Sequence, residues 1–207
     1  MYFRTEAIIL KKRNFSESDR LLTIFTRDFG KLTVLAKGVR RPRSRKAGHL
    51  ELGNWCKVFI AKGKNIDILT EVELKKAFGI ADFREDKANK IYHLLEIIEN
   101  LTVDHQKNLQ AFILLVKFLK KVETDKNFNL LSSVFKIKLL ASLGFFSSQS
   151  LKNSKAKQIF NILEKTDFEH LEDKIKLSKD SHLKLLLFLD SMIENITNSK
   201  LKTARFL

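Results

Sequence analysis

The stretch GKLTVLAKGVRRPRSRKAG, residues 30–48, is the part of this sequence that decides the fold. Its first half alternates, with Leu32, Val34 and Ala36 on one side, which is typical of a strand with one buried face. Its second half concentrates positive charge, and no acid lies between Asp28 and Glu51. The six cations are Lys37, Arg40, Arg41, Arg43, Arg45 and Lys46. The pattern therefore predicts a strand followed by a strongly basic loop.

This basic loop suits a polyanion, because arginine and lysine pair with phosphate whatever the base sequence. We predict that the six cations contact the backbone of a nucleic acid. The alternative is an ordinary solvated loop, because a run of like charges is only a pointer to function. The composition favours the first interpretation. Residues 1–79 hold 18 Lys and Arg against 8 Asp and Glu, whereas residues 80–207 hold 21 against 16. Most of the net charge of +15 thus belongs to the N-terminal part.

The positions of the glycines and the alternation of apolar and polar residues together predict a small barrel at the N-terminus. Six of the seven glycines precede residue 80, and glycine serves turns and bulges better than helices. The predicted strands are Ala7–Leu10, Leu21–Thr26, Lys31–Lys37, Trp55–Ala61 and Ile66–Leu74. Five short strands in residues 1–79 favour a closed five-stranded OB-fold barrel, which commonly binds nucleic acid.

Four aromatic side chains of this region have two possible roles. They are Phe25, Phe29, Trp55 and Phe59. Each can stack on a base, as OB-fold aromatics do, or pack in the core, as large aromatics usually do.

From Ala81 onward the hydrophobic period changes to that of helices. Apolar stripes at 91–101, 109–119, 130–141, 159–163 and 183–193 predict five helices packed as a bundle, with Gly144 just after the third. The expected class is α+β: an OB-fold domain over residues 1–79 and an all-helical domain over residues 80–207.

Several chemistries have no support in the sequence. It lacks the glycine-rich loops GxxxxGK[ST] and GxGxxG, and its five histidines are scattered. The single cysteine, Cys56, makes neither a disulfide nor a zinc site and is expected to be a buried thiol. We therefore expect no enzymatic activity, no cofactor and no metal. No segment has the pattern of a signal peptide or of a spanning helix, so a cytoplasmic, nucleoid-associated protein without a membrane partner is expected.

Three pieces of the sequence resemble the RecO family of bacterial DNA repair proteins. The first is ESDRLLTIFTRDFGKLTVLAKGVRRPRSRKAGHLELG, residues 17–53. The second is LLASLGF at 139–145, which is similar to the end of the family's central helix. The third is KLKTARFL at 200–207, which is similar to the family's C-terminal signature.

This resemblance implies an OB-fold followed by a helical domain. It also implies binding of single- and double-stranded DNA, annealing of complementary strands, and help in loading RecA recombinase onto coated single strands. The implied partners are RecR and the acidic C-terminal tail of single-stranded DNA-binding protein. One departure is clear: many relatives carry a four-cysteine zinc module just after the position of Gly144, and residues 145–177 contain no cysteine.

Two functions of different class remain open at this point. The first is a DNA-binding and annealing recombination mediator. The second is an OB-fold interaction module whose basic loop binds structured RNA or acidic protein tails.

Overall fold

The computed structural model of the chain describes residues 1–80, 83–125, 127–151, 153–171 and 179–203. The strands are β1 (Tyr2–Asn14), β2 (Arg20–Thr26), β3 (Gly30–Ala36), β4 (Trp55–Ala61) and β5 (Asp67–Lys76). A short 3-10 turn, Ala47–Leu50, lies between β3 and β4. The α-helices within the described residues are α1 (Glu85–Leu101), α2 (Leu109–Val122), α3 (Phe128–Ser142), α4 (Ser154–Lys165) and α5 (Lys179–Thr197). The predicted α+β class is confirmed.

The five strands close into a barrel in the order β1-β2-β3-β5-β4. Neighbouring strands are antiparallel except β3 and β5, which run parallel through the pairs Val34 with Asp67 and Leu35 with Ile68. The structure confirms the predicted five-stranded, OB-fold-like barrel. The bounds of β4 are also those expected from the alternation of its side chains.

Strand β1 is longer than the sequence indicated. The alternation predicted only Ala7–Leu10, but the strand has 13 residues because it pairs with two neighbours. Its first half pairs with β4, and its second half pairs with β2 as far as Asn14 opposite Arg20. The polar end Lys11–Asn14 belongs to the strand through these long-range hydrogen bonds, which no local pattern reveals.

Alternate side chains of the strands fill the barrel. The predicted inner face of β3, formed by Leu32, Val34 and Ala36, is buried, and so is Cys56 on β4. The other strand residues of this core are Ala7, Ile9, Leu22, Ile24, Val58, Ile60 and Leu69. Burial of each large aliphatic side chain contributes about 1.5–3 kcal/mol, so the barrel is a firm support for the loops that leave it.

The third helix ends as predicted. Leu143 caps α3 and Gly144 follows it with a positive φ of 79°. The N–H of Gly144 donates to the Ala141 carbonyl at 3.1 Å, and that of Phe145 donates to the Leu140 carbonyl at 2.9 Å. These two bonds form a Schellman motif, in which glycine is the preferred residue.

The described residues form two compact units, and the boundary between them lies within α2. The first unit contains Met1–Phe112 together with Thr203, so α1 belongs with the barrel. Lys11 on β1 forms an ion pair with Glu99 on α1 at 2.7 Å. The predicted domain division between residues 79 and 80 follows the change from strands to helices and stays a prediction.

The second unit contains Ile113–Lys202. In it, the buried Lys136 of α3 pairs with Asp190 of α5 at 2.6 Å. The cysteine-free segment at 145–177 holds α4, and its residues 152 and 172–177 lie outside the described part, as do residues 204–207 of the C-terminal match. No helix among the described residues is long and apolar enough to cross a membrane.

Candidate nucleic-acid interface

Strand β3 leads directly into residues 37–46, which we call the basic loop. Gly38 opens it with a φ of +66°, a conformation that glycine adopts without strain. The next residue, Val39, is fully buried in the barrel core. Beyond it the chain folds into two successive turns. In the first, the N–H of Arg41 donates to the Gly38 carbonyl at 3.2 Å, and in the second, the N–H of Ser44 donates to the Arg41 carbonyl at 2.9 Å. The loop is therefore anchored at its base by a core residue and shaped by its own backbone.

The six predicted cations do not all have the same surroundings. Lys37, Arg40, Arg41, Arg43 and Arg45 are exposed. Lys46 is half-buried, and its Nζ donates to the Thr70 carbonyl of β5 at 2.9 Å, which ties the loop to the barrel. Within the part of the chain that the structure describes, none of the six forms an ion pair with an acid.

The connection between β1 and β2, residues 15–19, lies beside the basic loop. The register explains this placement, because Asn14 of β1 pairs with Arg20 of β2, and Arg20 pairs with Ala36 of β3. Strands β1 and β3 therefore end at the level at which β2 begins, and the β1–β2 connection and the basic loop lie at the same end of the barrel. We call residues 15–19 and 37–46 together the candidate surface.

Two hydrogen bonds from Arg40 join the halves of this surface. Its Nη1 donates to the Ser16 carbonyl at 2.6 Å, and its backbone N–H donates to the Ser18 carbonyl at 2.9 Å. Arg40 therefore shapes the surface as well as adding charge to it.

The carboxylate of Asp19 is the other link between the two connections. Its Oδ1 accepts from the backbone N–H of Gly38 at 2.8 Å and from the Ser18 hydroxyl at 3.1 Å. The hydrogen bond from Gly38 holds the pKa of Asp19 below its usual value of 3.8, and the hydroxyls of Ser18 and Ser16 and the charge of Lys37 act in the same direction. Burial opposes them. The sequence marked Asp19 as part of a motif but not as the residue that fastens the basic loop.

We expect Asp19→Asn to destabilise the barrel at neutral pH. A folded-state pKa below the unfolded one means that the charged carboxyl contributes stability above pH 3.8, and this contribution is lost as the pH falls through the folded-state value. The difference in urea midpoint between wild type and D19N should therefore be largest near pH 7 and shrink on acidification. Glu17→Gln, a change at an exposed acid two residues away, should follow the wild type throughout. Parallel pH profiles for wild type and D19N would contradict this role.

The four aromatic side chains named above take different positions. Phe25 is fully buried, so it packs in the core and does not stack on a base. Phe29 is 39% exposed but lies in the β2–β3 turn, where its ring is 4.6 Å from that of Phe3. Trp55 and Phe59 face outward on β4 and are half-buried, with the ammonium groups of lysines 75 and 57 at 4.2 and 5.8 Å from their ring centroids.

Metal binding finds no support among the described residues, which contain no group of three or more His, Cys, Asp or Glu able to hold an ion. Cys56 is buried, and burial raises the pKa of its thiol to about 12. Its Sγ donates to the His49 carbonyl at 3.2 Å. A thiol in this state is neither a ready metal ligand nor a nucleophile. The absence of metal stays a prediction.

Comparison with known proteins covers both parts of the chain. Residues 1–78 match the family model described as Recombination protein O N terminal, and residues 91–150 match the one described as Recombination protein O C terminal. A protein of Symbiobacterium thermophilum named DNA repair protein RecO is 30% identical over 146 residues, 69% of this chain and 57% of that protein. Proteins of the same name in Acetivibrio thermocellus and Dehalococcoides mccartyi are 31% and 32% identical, over 70% and 69% of this chain and 58% and 56% of their own length.

These matches cover less than two thirds of the relatives' own length. The residues matched by the two family models contain the barrel strands, the basic loop and the end of α3 at Gly144. On these grounds the chain belongs to the RecO family.

Proposed function

We propose that this chain is a DNA-binding recombination mediator of DNA repair. It binds and anneals single-stranded DNA, and it helps to load RecA recombinase on strands coated by single-stranded DNA-binding protein. The observation that carries the proposal is the set of exposed cations of the basic loop, none of which forms an ion pair with an acid among the described residues, on a barrel with a well-packed core. Arginine offers planar donors that match phosphate, and four of the five exposed cations are arginines.

The proposed mechanism is electrostatic and needs no catalytic group. Two complementary strands repel each other through their phosphates, and a surface rich in cations offsets this repulsion by releasing counterions. Because phosphate contacts carry no base code, such a surface accepts single- and double-stranded DNA of any sequence. The protein acts by binding, on nucleoid DNA in the cytoplasm.

The proposed protein partners are RecR and the acidic C-terminal tail of single-stranded DNA-binding protein. A carboxylate-rich tail suits the same kind of surface as DNA does, because arginine pairs with carboxylate as well as with phosphate. The names of the relatives, all DNA repair protein RecO, support a place in repair.

The test is a titration of fluorescently labelled single-stranded DNA with the full chain at several salt concentrations. Affinity should fall steeply with salt, with a log–log slope of about −0.7 for each phosphate that the protein neutralises. Annealing of two complementary oligonucleotides should be faster with the protein than without it, both for bare strands and for strands coated by single-stranded DNA-binding protein. Binding without salt dependence, or no effect on annealing, would contradict the proposal.

A competition separates this function from an interaction module for RNA or acidic tails. A structured RNA or an acidic peptide is added to the complex with labelled DNA. If DNA is the ligand, a large molar excess of acidic peptide is needed to displace it, and RNA displaces it no more readily than unlabelled DNA does. If the peptide or the RNA displaces the labelled DNA at a concentration far below the concentration of unlabelled DNA that does the same, the result would favour the interaction module.

A further inference from the structure

Phe15 is an exposed aromatic residue on the candidate surface. It is 58% exposed, and it is the first residue of the connection between β1 and β2. Its neighbours in this connection, Ser16 to Asp19, are all polar. No cation and no other ring lies against the Phe15 ring in the part of the chain that the structure describes. A single exposed apolar side chain is common on protein surfaces, so its position has to carry the argument.

Hydrogen bonds within the β1–β2 connection and from the basic loop fix the position of Phe15. The N–H of Phe15 donates to the Asp19 carbonyl at 3.1 Å, which closes the connection into a tight loop. Asp19 in turn accepts from Gly38, and Arg40 donates to the carbonyl of Ser16, the residue next to Phe15. The ring therefore stands on a braced backbone, one residue away from a hydrogen bond made by an arginine of the basic loop.

We propose that Phe15 is the base-stacking residue of the candidate surface. A nucleobase of single-stranded DNA lies on its ring, while the exposed arginines of the basic loop hold the adjoining phosphates. Proteins that bind single strands combine these two elements, a cationic track for the backbone and aromatic faces for the bases. A rigid ring loses little conformational freedom on binding, which favours stacking further. This inference rests on the proposed function, since it assigns a second contact to the same DNA site.

Stacking on Phe15 gives the candidate surface a preference for single-stranded over double-stranded DNA, which charge alone does not supply. Phosphates are available in single-stranded and in double-stranded DNA, whereas bases within a duplex are stacked on each other and are not free to cover a protein ring. Phe15 therefore directs the candidate surface toward single strands, the substrate of annealing.

The experiment compares two probes and three variants of the full chain. One probe is labelled oligothymidylate, and the other is an abasic deoxyribose-phosphate oligomer of the same length. The variants are Phe15→Ala, Phe15→Trp and the matched control Phe29→Ala. Phe29 is also exposed, but it lies at the opposite end of β3, roughly 20 Å away for a seven-residue strand.

F15A should weaken binding of oligothymidylate by roughly 5- to 150-fold, the range measured for loss of one base–aromatic stack. The salt slope should not change, because no phosphate contact is lost. Binding of the abasic probe should be the same for F15A and wild type. F15W should bind oligothymidylate at least as well as wild type, and F29A should resemble wild type with both probes.

Three results would overturn the assignment. Unchanged binding of oligothymidylate by folded F15A, while substitutions in the basic loop still weaken it, would remove the stacking role and leave the proposed DNA site intact. Equal losses with the abasic probe would mean that Phe15 shapes the loop and does not stack. An equal loss in F29A would mean that the effect is not local. If loop substitutions have no effect on binding, the proposed function itself fails.

Discussion

Replacing Arg41, Arg43 and Arg45 together with alanine should weaken binding of single-stranded DNA on the order of 50-fold at about 0.15 M salt. All three side chains are exposed, and none forms an ion pair within the described residues, so they are available to phosphates. Three lost phosphate contacts should flatten the log–log salt slope by about 2 units, and the affinities should converge near 1 M salt. Arg40 is left in place, because its hydrogen bond to Ser16 also shapes the surface.

The fold should survive this triple substitution. Surface changes away from caps and buried networks usually alter the free energy of unfolding by about 0.5 kcal/mol or less. Titration with labelled oligothymidylate at four or five salt concentrations measures both the affinity and the slope. Circular dichroism and the thermal midpoint check that the variant is folded.

A matched control removes the same charge from the second unit. Lys117, Lys157 and Lys184 are exposed lysines on α2, α4 and α5. Replacing all three with alanine lowers the net charge as much as the arginine variant does, but it leaves the basic loop intact. The control should bind DNA with nearly the wild-type slope. Equal effects of the two triple variants would mean that overall charge, and not the basic loop, governs binding.

The architecture could be predicted because local patterns encode it. The alternation in β3 and β4 depends on one buried face, and each predicted inner residue of β3 lies in the core. The spacing of apolar residues that predicts the helices is also a local feature of the sequence, and so is Gly144, which predicts the end of α3. The polar end of β1 could not be predicted, because its strand character comes from pairing with Arg20 and its neighbours on β2.

The candidate site was predicted only in part, for the same reason. The basic loop is a compositional feature, and its cations could be named from the sequence. The hydrogen bond between Asp19 and Gly38 joins residues 19 positions apart and uses a backbone N–H, so no pattern of residue types reveals it. Lys46 looked equivalent to its neighbours until its bond to Thr70 was known. Phe15 was not among the four aromatic residues that the sequence indicated as possible stacking residues. The signal that could have identified it is a lone aromatic in a polar connection, where no alternating pattern buries the side chain.

Gly30→Ala should destabilise the barrel far more than Gly38→Ala in the basic loop. Gly30 begins β3 with a φ of +71°, which strains any residue that has a Cβ atom. It also lies against the segment after α1, where the N–H of His105 donates to the Lys31 carbonyl at 2.9 Å. A Cβ on Gly30 would overlap the backbone carbonyl of Gln106, which cannot move without breaking this contact. We expect a loss of about 4 kcal/mol or more, the range reached when strain and overpacking act together.

Gly38→Ala is the control that separates strain from overlap. Gly38 has nearly the same φ, +66°, but a Cβ there meets only the Arg41 side chain, at ordinary van der Waals distance. G38A should therefore cost only the strain of the left-handed conformation, about 1–2 kcal/mol. Urea unfolding followed by the fluorescence of Trp55, the single tryptophan, measures both variants in the same barrel. If G30A and G38A unfold at the same urea concentration, the segment at Gln106 does not pack tightly on β3. A midpoint for G30A far below that of G38A assigns the difference to that packing, because the conformational strain is common to both.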